Sequence, residues 1–387
     1  MILDVIRASR TVSRVELADA TGLTQATVST VVRKLIDEGL VVEVGRGAST
    51  GGKRRTLLQI EPTARYAFGA QLGSDATTFV LADLGGATVS RWRRGPLMKV
   101  APDQAVAVVA DELDGIVERA AIDRAKLSGV GLVAPGPLLA ATGIVLAPPS
   151  MRGWVDFPLR ERLEQATNLP VLLDNDATAT AAGLYWTDGI APKATLAALF
   201  MGQGIGAGLL YGGQVHRGAG GNAGEIGHIT VDVDGPECWC GNRGCVEAIA
   251  GPVPTVERAR EAGIDLGDPE RSVVAAFGQL ARLALGGDPK ALEVVGMSAR
   301  YVAVAAHTLV NVIDPDLLVL TGPAFAVAGP LYLPVVANHV MARRFARHST
   351  SIDVRLSTHG PEAAALGAAA LVLQAELAPR GTEQAQA

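Results

Sequence analysis

The stretch Glu225-Ile226-Gly227-His228, followed after a spacer of nine residues by Cys238-Trp239-Cys240-Gly241-Asn242-Arg243-Gly244-Cys245-Val246-Glu247, decides how the rest of the chain is read. The chain has three cysteines, and all three fall between positions 238 and 245. One imidazole and three thiolates form the donor set of a closed tetrahedral zinc site. A structural zinc ion held by His228, Cys238, Cys240 and Cys245 is therefore expected. A disulfide is the weaker alternative, because an odd count leaves one thiol over and nothing in the sequence points to export. Two carboxylates, Glu225 and Glu247, flank this knot.

The chain is 387 residues long, enough for two or three domains, and carries a net charge of -5. The charge is unevenly spread. Residues 1–60 hold nine Lys+Arg against six Asp+Glu, and the remainder 25 against 33. A basic head on an acidic body is what a chain needs when one end touches phosphate. No signal peptide and no uninterrupted apolar span is evident, so the expectation is a cytoplasmic protein with no membrane partner.

Apolar spacing in residues 2–9 predicts a first helix. Ser13 and Glu16 form a capping box for a second over 14–20, and Thr24 caps a third over 25–38, stopped by Gly39. Val28, Val31, Val32, Leu35 and Ile36 form the apolar face of the third helix. Gln25, Thr27, Ser29, Thr30 and Arg33 lie elsewhere on it as candidate DNA contacts. Strands over 40–44 and 56–60 flank a loop carrying Arg46, Lys53, Arg54 and Arg55, a cationic wing suited to phosphates or a minor groove. The order helix, helix, helix, wing is that of a winged helix-turn-helix. The bland alternative is a small helical domain with a solvated charge run.

From residue 67 the texture is α/β. Strands are expected over 68–72, 77–83, 127–133, 171–173, 195–201 and 317–320, with a Gly-rich turn over 202–208 leading into a further strand that ends at Tyr211. Helices are expected over 104–121, 157–167, 177–185, 256–262, 271–285, 290–311 and 363–376. Two α/β lobes with a cleft between them are the natural architecture. The expected division is a head over 1–62, a small lobe over 63–175 completed by 361–378, a large lobe with the zinc site over 176–360, and a disordered tail over 379–387.

The body resembles the ROK family of repressors and sugar kinases, and the head resembles the winged helix-turn-helix of the family's xylose-repressor and N-acetylglucosamine-repressor branch. The motifs are Glu225-x-Gly-His228, the run from Cys238 to Glu247, Asn175-Asp176 and Ala134-Pro135-Gly136-Pro137. The resemblance implies an actin-like, ribonuclease H-type two-lobed sugar-kinase fold. It implies a sugar in the cleft, bound by Asn175, Asp176, Glu225, His228 and Glu247, with Gly153-Trp154 at its mouth. Trp154 reads equally as a core residue. The chemistry is coherent, since carboxylates accept from vicinal hydroxyls and His228 can ligate through one nitrogen and donate from the other.

Family kinases carry an Asp-x-Gly-Gly-Thr phosphate loop. The corresponding stretch here is Gln71-Leu72-Gly73-Ser74-Asp75, with Gln203 in the second phosphate loop and Thr321-Gly322-Pro323 in place of a Gly-Gly pair. These departures lead to the expectation that the chain is not an enzyme. It would be a sugar-responsive regulator, a repressor, binding operator DNA as a homodimer that can pair into a tetramer. An ATP-dependent sugar kinase with an appended DNA-binding head is the alternative.

Overall fold

The computed structural model describes residues 2–46, 55–139, 144–145, 149–268 and 270–377. The head begins with α1 (Ile2–Ser9), α2 (Arg14–Thr21) and α3 (Gln25–Asp37). The capping box is present: Ser13 N–H donates to Glu16 Oε2 at 2.8 Å, and the Ser13 hydroxyl accepts from Glu16 N–H. Thr24 caps α3 by accepting from Thr27 N–H at 3.2 Å. Strands β1 (Val12–Ser13), β2 (Val41–Arg46) and β3 (Thr56–Ile60) pair antiparallel in the order β1-β3-β2, which makes the wing. Val28 and Val32 are fully buried one helical turn apart. Val31, expected on that apolar face, is instead exposed, because the stripe is narrow and its other members Leu35 and Ile36 are only half-buried.

The body contains two five-stranded sheets of the same plan. In the first, β4 (Tyr66–Leu72), β5 (Thr77–Asp83) and β6 (Thr88–Arg94) form an antiparallel meander, extended in parallel by β7 (Leu127–Ala134). A ribbon of β8 (Leu138–Leu139) and β9 (Ile144–Val145) follows, and then β10 (Val171–Asn175) joins beside β7. In the second, β11 (Thr195–Met201), β12 (Ile205–Tyr211) and β13 (Gln214–Val215) form the meander, extended in parallel by β14 (Leu317–Thr321) and β15 (Asp353–Leu356). The repeated plan is the duplication expected of the two-lobed α/β fold.

Helices α4 (Pro102–Arg119) and α5 (Leu159–Thr167) cover the first sheet. The second packs with α7 (Val246–Ala250), α8 (Pro252–Glu261), α9 (Val273–Leu285), α10 (Pro289–Ile313) and α11 (Phe325–Arg343). Between the sheets run α6 (Asp176–Thr187) and α12 (Ala363–Glu376). These two helices cross almost backbone to backbone: a Cβ on Gly367 would lie 1.9 Å from Ala179 O. Small residues at the crossing bring the two lobes' central helices into direct contact.

The head is not a separate bead. Its core (Ile2, Ile6, Leu17, Leu58) is continuous with Trp186 at the end of α6 and with Leu366 and Ala369 of α12. Arg7 of α1 is buried against the last turn of α6. Its Nη1 donates to Tyr185 O at 3.0 Å and to Trp186 O, and the guanidinium lies over both rings, 4.8 and 4.5 Å from their centroids. Its Nε and Nη2 are buried with no hydrogen-bond partner among the described residues.

The structure departs from the sequence reading mainly at α11, which periodicity missed because Pro330 and Pro334 interrupt it. By length and composition alone α11 could cross a membrane, contrary to the expectation that no segment could. Its buried residues Phe325, Ala328, Tyr332, Val336 and Val340 recur at helical spacing, and that face packs into the core of the second lobe. Strands β6 and β15 and the short α7 were also missed, and β12 begins at Ile205, inside the stretch 202–208 expected to be a turn, because pairing with β11 extends that far. The tail 379–387 lies outside the described residues.

Candidate functional site

A cleft of about 490 Å3 opens between the two sheets, within the range of about 300–1,000 Å3 usual for small-molecule sites. Asn175, Asp176, Glu225, His228 and Glu247 all line it. Each is delivered by a different local device. Asn175 is the N-cap of α6: its Oδ1 accepts from Ala177 N–H at 2.8 Å and Thr178 N–H at 3.2 Å, which leaves the amide NH2 for other partners. Asp176 opens the helix. The next residue, Ala177, donates its N–H to Asp176 Oδ1 at 2.9 Å, and the side chain of Gln71 hydrogen-bonds the same carboxylate. Burial nevertheless pushes the Asp176 carboxyl up to about 6.

Glu225 precedes a short 3-10 turn (Ile226–His228). Burial raises its pKa, opposed by His228 and reinforced by the charges of Asp176 and Glu247, so three carboxylates share one space. Glu247 sits in the first turn of α7. Its Oε2 accepts from Ile205 N–H at 2.8 Å and its Oε1 from the Trp239 indole N–H at 2.8 Å. Gly204 makes room for it, since a Cβ there would lie 2.4 Å from Glu247 Oε2.

Asp174 and Arg217, not singled out in the sequence, join the lobes beside this group. Asp174 is buried at the end of β10, and its Oδ2 accepts from Arg217 Nε at 2.9 Å and Nη2 at 2.7 Å. Arg217 lies in the glycine-rich loop leading to Glu225, where one more arginine gives no local signal. Gly153 is corrected: it is exposed and not among the residues lining the cleft. Its neighbour Trp154 is a core residue, 2% exposed, donating weakly to Met98 O at 3.4 Å.

His228, Cys238, Cys240 and Cys245 converge, their ligand atoms all within 4.8 Å of one another. Cys238 Sγ lies 3.5 Å from His228 Nδ1 and Cys240 Sγ 3.8 Å from Cys245 Sγ. A tetrahedral ion with sulfur at about 2.3 Å and nitrogen at about 2.0–2.1 Å has edges of about 3.6 and 3.8 Å, so the donors fit a metal. Burial pushes the Cys245 thiol up to about 12, so a metal entering here releases protons.

In the head, Gln25, Thr27, Thr30 and Arg33 are exposed on α3 and Ser29 is half-buried. The Thr30 hydroxyl donates back to Ala26 O at 3.1 Å, and Thr27 Oγ1 lies 3.0 Å from Thr24 Oγ1. Arg55 is exposed at the base of the wing. Lys53, Arg54 and the side chain of Arg46 lie outside the described residues.

The family pattern described as ROK family matches residues 67–375, and the one described as MarR family matches residues 1–55. The putative xylose repressor of Caldicellulosiruptor sp. (strain Rt8B.4) is 31% identical over 388 residues, covering 98% of this chain and 96% of that one. The glucokinase of Halalkalibacterium halodurans is 30% identical over 320 residues, 81% of this chain and 96% of that one. A solved ROK family transcriptional regulator, a homologue of the E. coli MLC protein, superposes with a TM-score of 0.74 at 24% identity, covering 97% of both chains. The likeness to a glucokinase over most of the body overturns the expectation that the chain is not an enzyme: the departures at Gln71, Ser74 and Asp75 do not exclude phosphoryl transfer.

Proposed function

This chain belongs to the ROK family, and from that premise we propose that it is a sugar-responsive transcription regulator acting as a repressor in the cytoplasm. The observation that carries the reading is its likeness, at 31% identity and nearly end to end, to a putative xylose repressor. Operator DNA meets α3 through Gln25, Thr27, Ser29, Thr30 and Arg33, and the wing through Arg46, Lys53, Arg54 and Arg55. A sugar occupies the cleft with its hydroxyls on Asn175, Asp176, Glu225, His228 and Glu247. The metal is zinc, and it is structural, because four protein donors leave no open position. The division into head, small lobe and large lobe follows the boundaries given above. A homodimer predicts a pseudo-palindromic operator. Release follows when the sugar binds the DNA-incompetent conformer more tightly than the competent one.

The test is a gel shift on the DNA upstream of the protein's own gene, titrated with sugars and sugar phosphates. A shift released by one of them is expected. A shift that none of them changes overturns ligand control.

A second reading, sugar phosphorylation, is favoured by Asp176. A buried carboxyl with a pKa of about 6 is largely ionised at neutral pH and basic enough to accept a hydroxyl proton. Sugar-dependent release of ADP from ATP by the full chain would establish it, and its absence across the same panel would remove it.

A further inference from the structure

Among the described residues, two aromatic rings besides His228 line the cleft. Phe200 is 4% exposed, whereas Trp239 is 51% exposed. An indole half open to water in a ligand cleft is apolar surface still available for burial. This one is also held still. Its N–H donates to Glu247 Oε1 at 2.8 Å, and its ring meets the His228 imidazole edge to face, 5.0 Å between centroids at 85°. Its backbone lies in a tight turn between Cys238 and Cys240, where Cys238 N–H donates to Asn242 O at 2.8 Å and Gly241 N–H to Cys238 O at 3.0 Å. Ordering the ring has therefore already been done before any ligand arrives.

A pyranose presents two kinds of surface, a hydroxylated rim and an apolar C–H face. The carboxylates of Asp176, Glu225 and Glu247 and the amide of Asn175 answer the rim. We infer that Trp239 answers the face: its indole is the stacking platform on which the C–H face of a pyranose ring lies. The inference rests on the reading of the cleft as a sugar site and adds to it a binding residue and a ligand shape, a ring with one uninterrupted C–H face. Aromatic side chains combine a large flat apolar area with a polar edge, and here the edge is occupied by Glu247 and the area is left free.

The experiment is isothermal titration of the metal-loaded full chain with D-glucose, D-xylose and N-acetyl-D-glucosamine, for the wild type, Trp239→Phe and Trp239→Ala, with metal content and melting temperature recorded for each. Trp239→Ala is expected to weaken the bound sugar by roughly tenfold, and Trp239→Phe to stay within roughly threefold of the wild type. Trp92, Trp154 and Trp186 are half-buried or buried, so sugar is expected to change tryptophan fluorescence in the wild type and not in Trp239→Phe. Wild-type affinity in a folded Trp239→Ala overturns the inference. So does a loss in Trp239→Phe as large as in Trp239→Ala, because the indole N–H to Glu247 and not the ring face would then be at work. Should Trp239→Ala lose its metal, an identical fluorescence change in the wild type and Trp239→Phe overturns the inference by itself. If the wild type binds none of the three sugars, the sugar reading of the cleft falls first and the inference with it. Binding by the wild type with no effect of either substitution removes the inference alone.

Discussion

Asp176 is placed where its charge is most expensive and most useful. It is buried at the head of α6, with Ala177 N–H and the Gln71 side chain favouring the ionised form and burial opposing it more strongly. Its pKa of about 6 in the fold exceeds the unfolded value, so between about pH 4 and 6 the native protein holds the extra proton. This group's contribution to stability is therefore fully present below about pH 4 and is lost as pH rises through 6. Asp176→Asn keeps an oxygen for Ala177 N–H and removes the buried charge. It is expected to stabilise the apo protein by about 2 kcal/mol at pH 7.5 and hardly at all at pH 4, while weakening sugar binding. Thermal melts at the two pH values check this; a gain of equal size at both would show that the charge is not the cause. Glu225 shifts in the same direction, for the same first reason.

Among the elements, the cysteine knot and α7 act as one. A five-residue helix has no stability of its own, and α7 begins at Cys245, with Glu247 in its first turn. A metal held by the four convergent donors would thus fix the helix that carries a cleft carboxylate. Cys240→Ser is expected to lose bound metal, measured by elemental analysis, and to weaken sugar binding although Cys240 itself does not line the cleft. A metal-free variant that binds sugar normally would separate the knot from the site. Much at this scale was legible. The capping box of α2, the hairpin β4–β5, the turn from β10 into α6 and the convergence of His228 with the three cysteines are local patterns of side-chain type and spacing. What escaped is non-local. The two prolines of α11 read as breaks, yet its apolar face is held by the second lobe. Trp239 gave no sign of its surroundings, because its partners His228 and Glu247 are brought to it by the fold of the loop.

For the molecule as a whole, α6 is the common member. Its first turn carries Asn175 and Asp176 in the cleft, and its last turn receives Arg7 from the head. Twelve residues of helix span about 18 Å, so one rigid rod joins the ligand site to the DNA-binding part. A cation at a helix C-terminus is favourable, and removing it strands two buried carbonyls. Arg7→Met is therefore expected to cost about 2–4 kcal/mol, at about 1–2 for each carbonyl left unpaired, and to blunt the effect of sugar on DNA binding. A melt and a gel shift indistinguishable from wild type would dismiss the rod as a link. None of this was visible in the sequence, where Arg7 is simply the basic residue in the last turn of a short amphipathic helix, 178 positions from its partner.

The shared core has a consequence for modularity. The body's Trp186, Leu366 and Ala369 and the head's Ile2, Ile6 and Leu58 belong to one buried cluster, and Trp186 meets the head directly through Arg7. A body cut free near residue 63 would expose the part of that cluster that the head covers, at and around Trp186, and exposed apolar surface of this kind drives self-association. Such a truncation is expected to be markedly less soluble than the full chain. Gain or loss of a head by fusion or deletion, in any lineage of such chains, thus carries a demand for compensating polar substitutions at the seam.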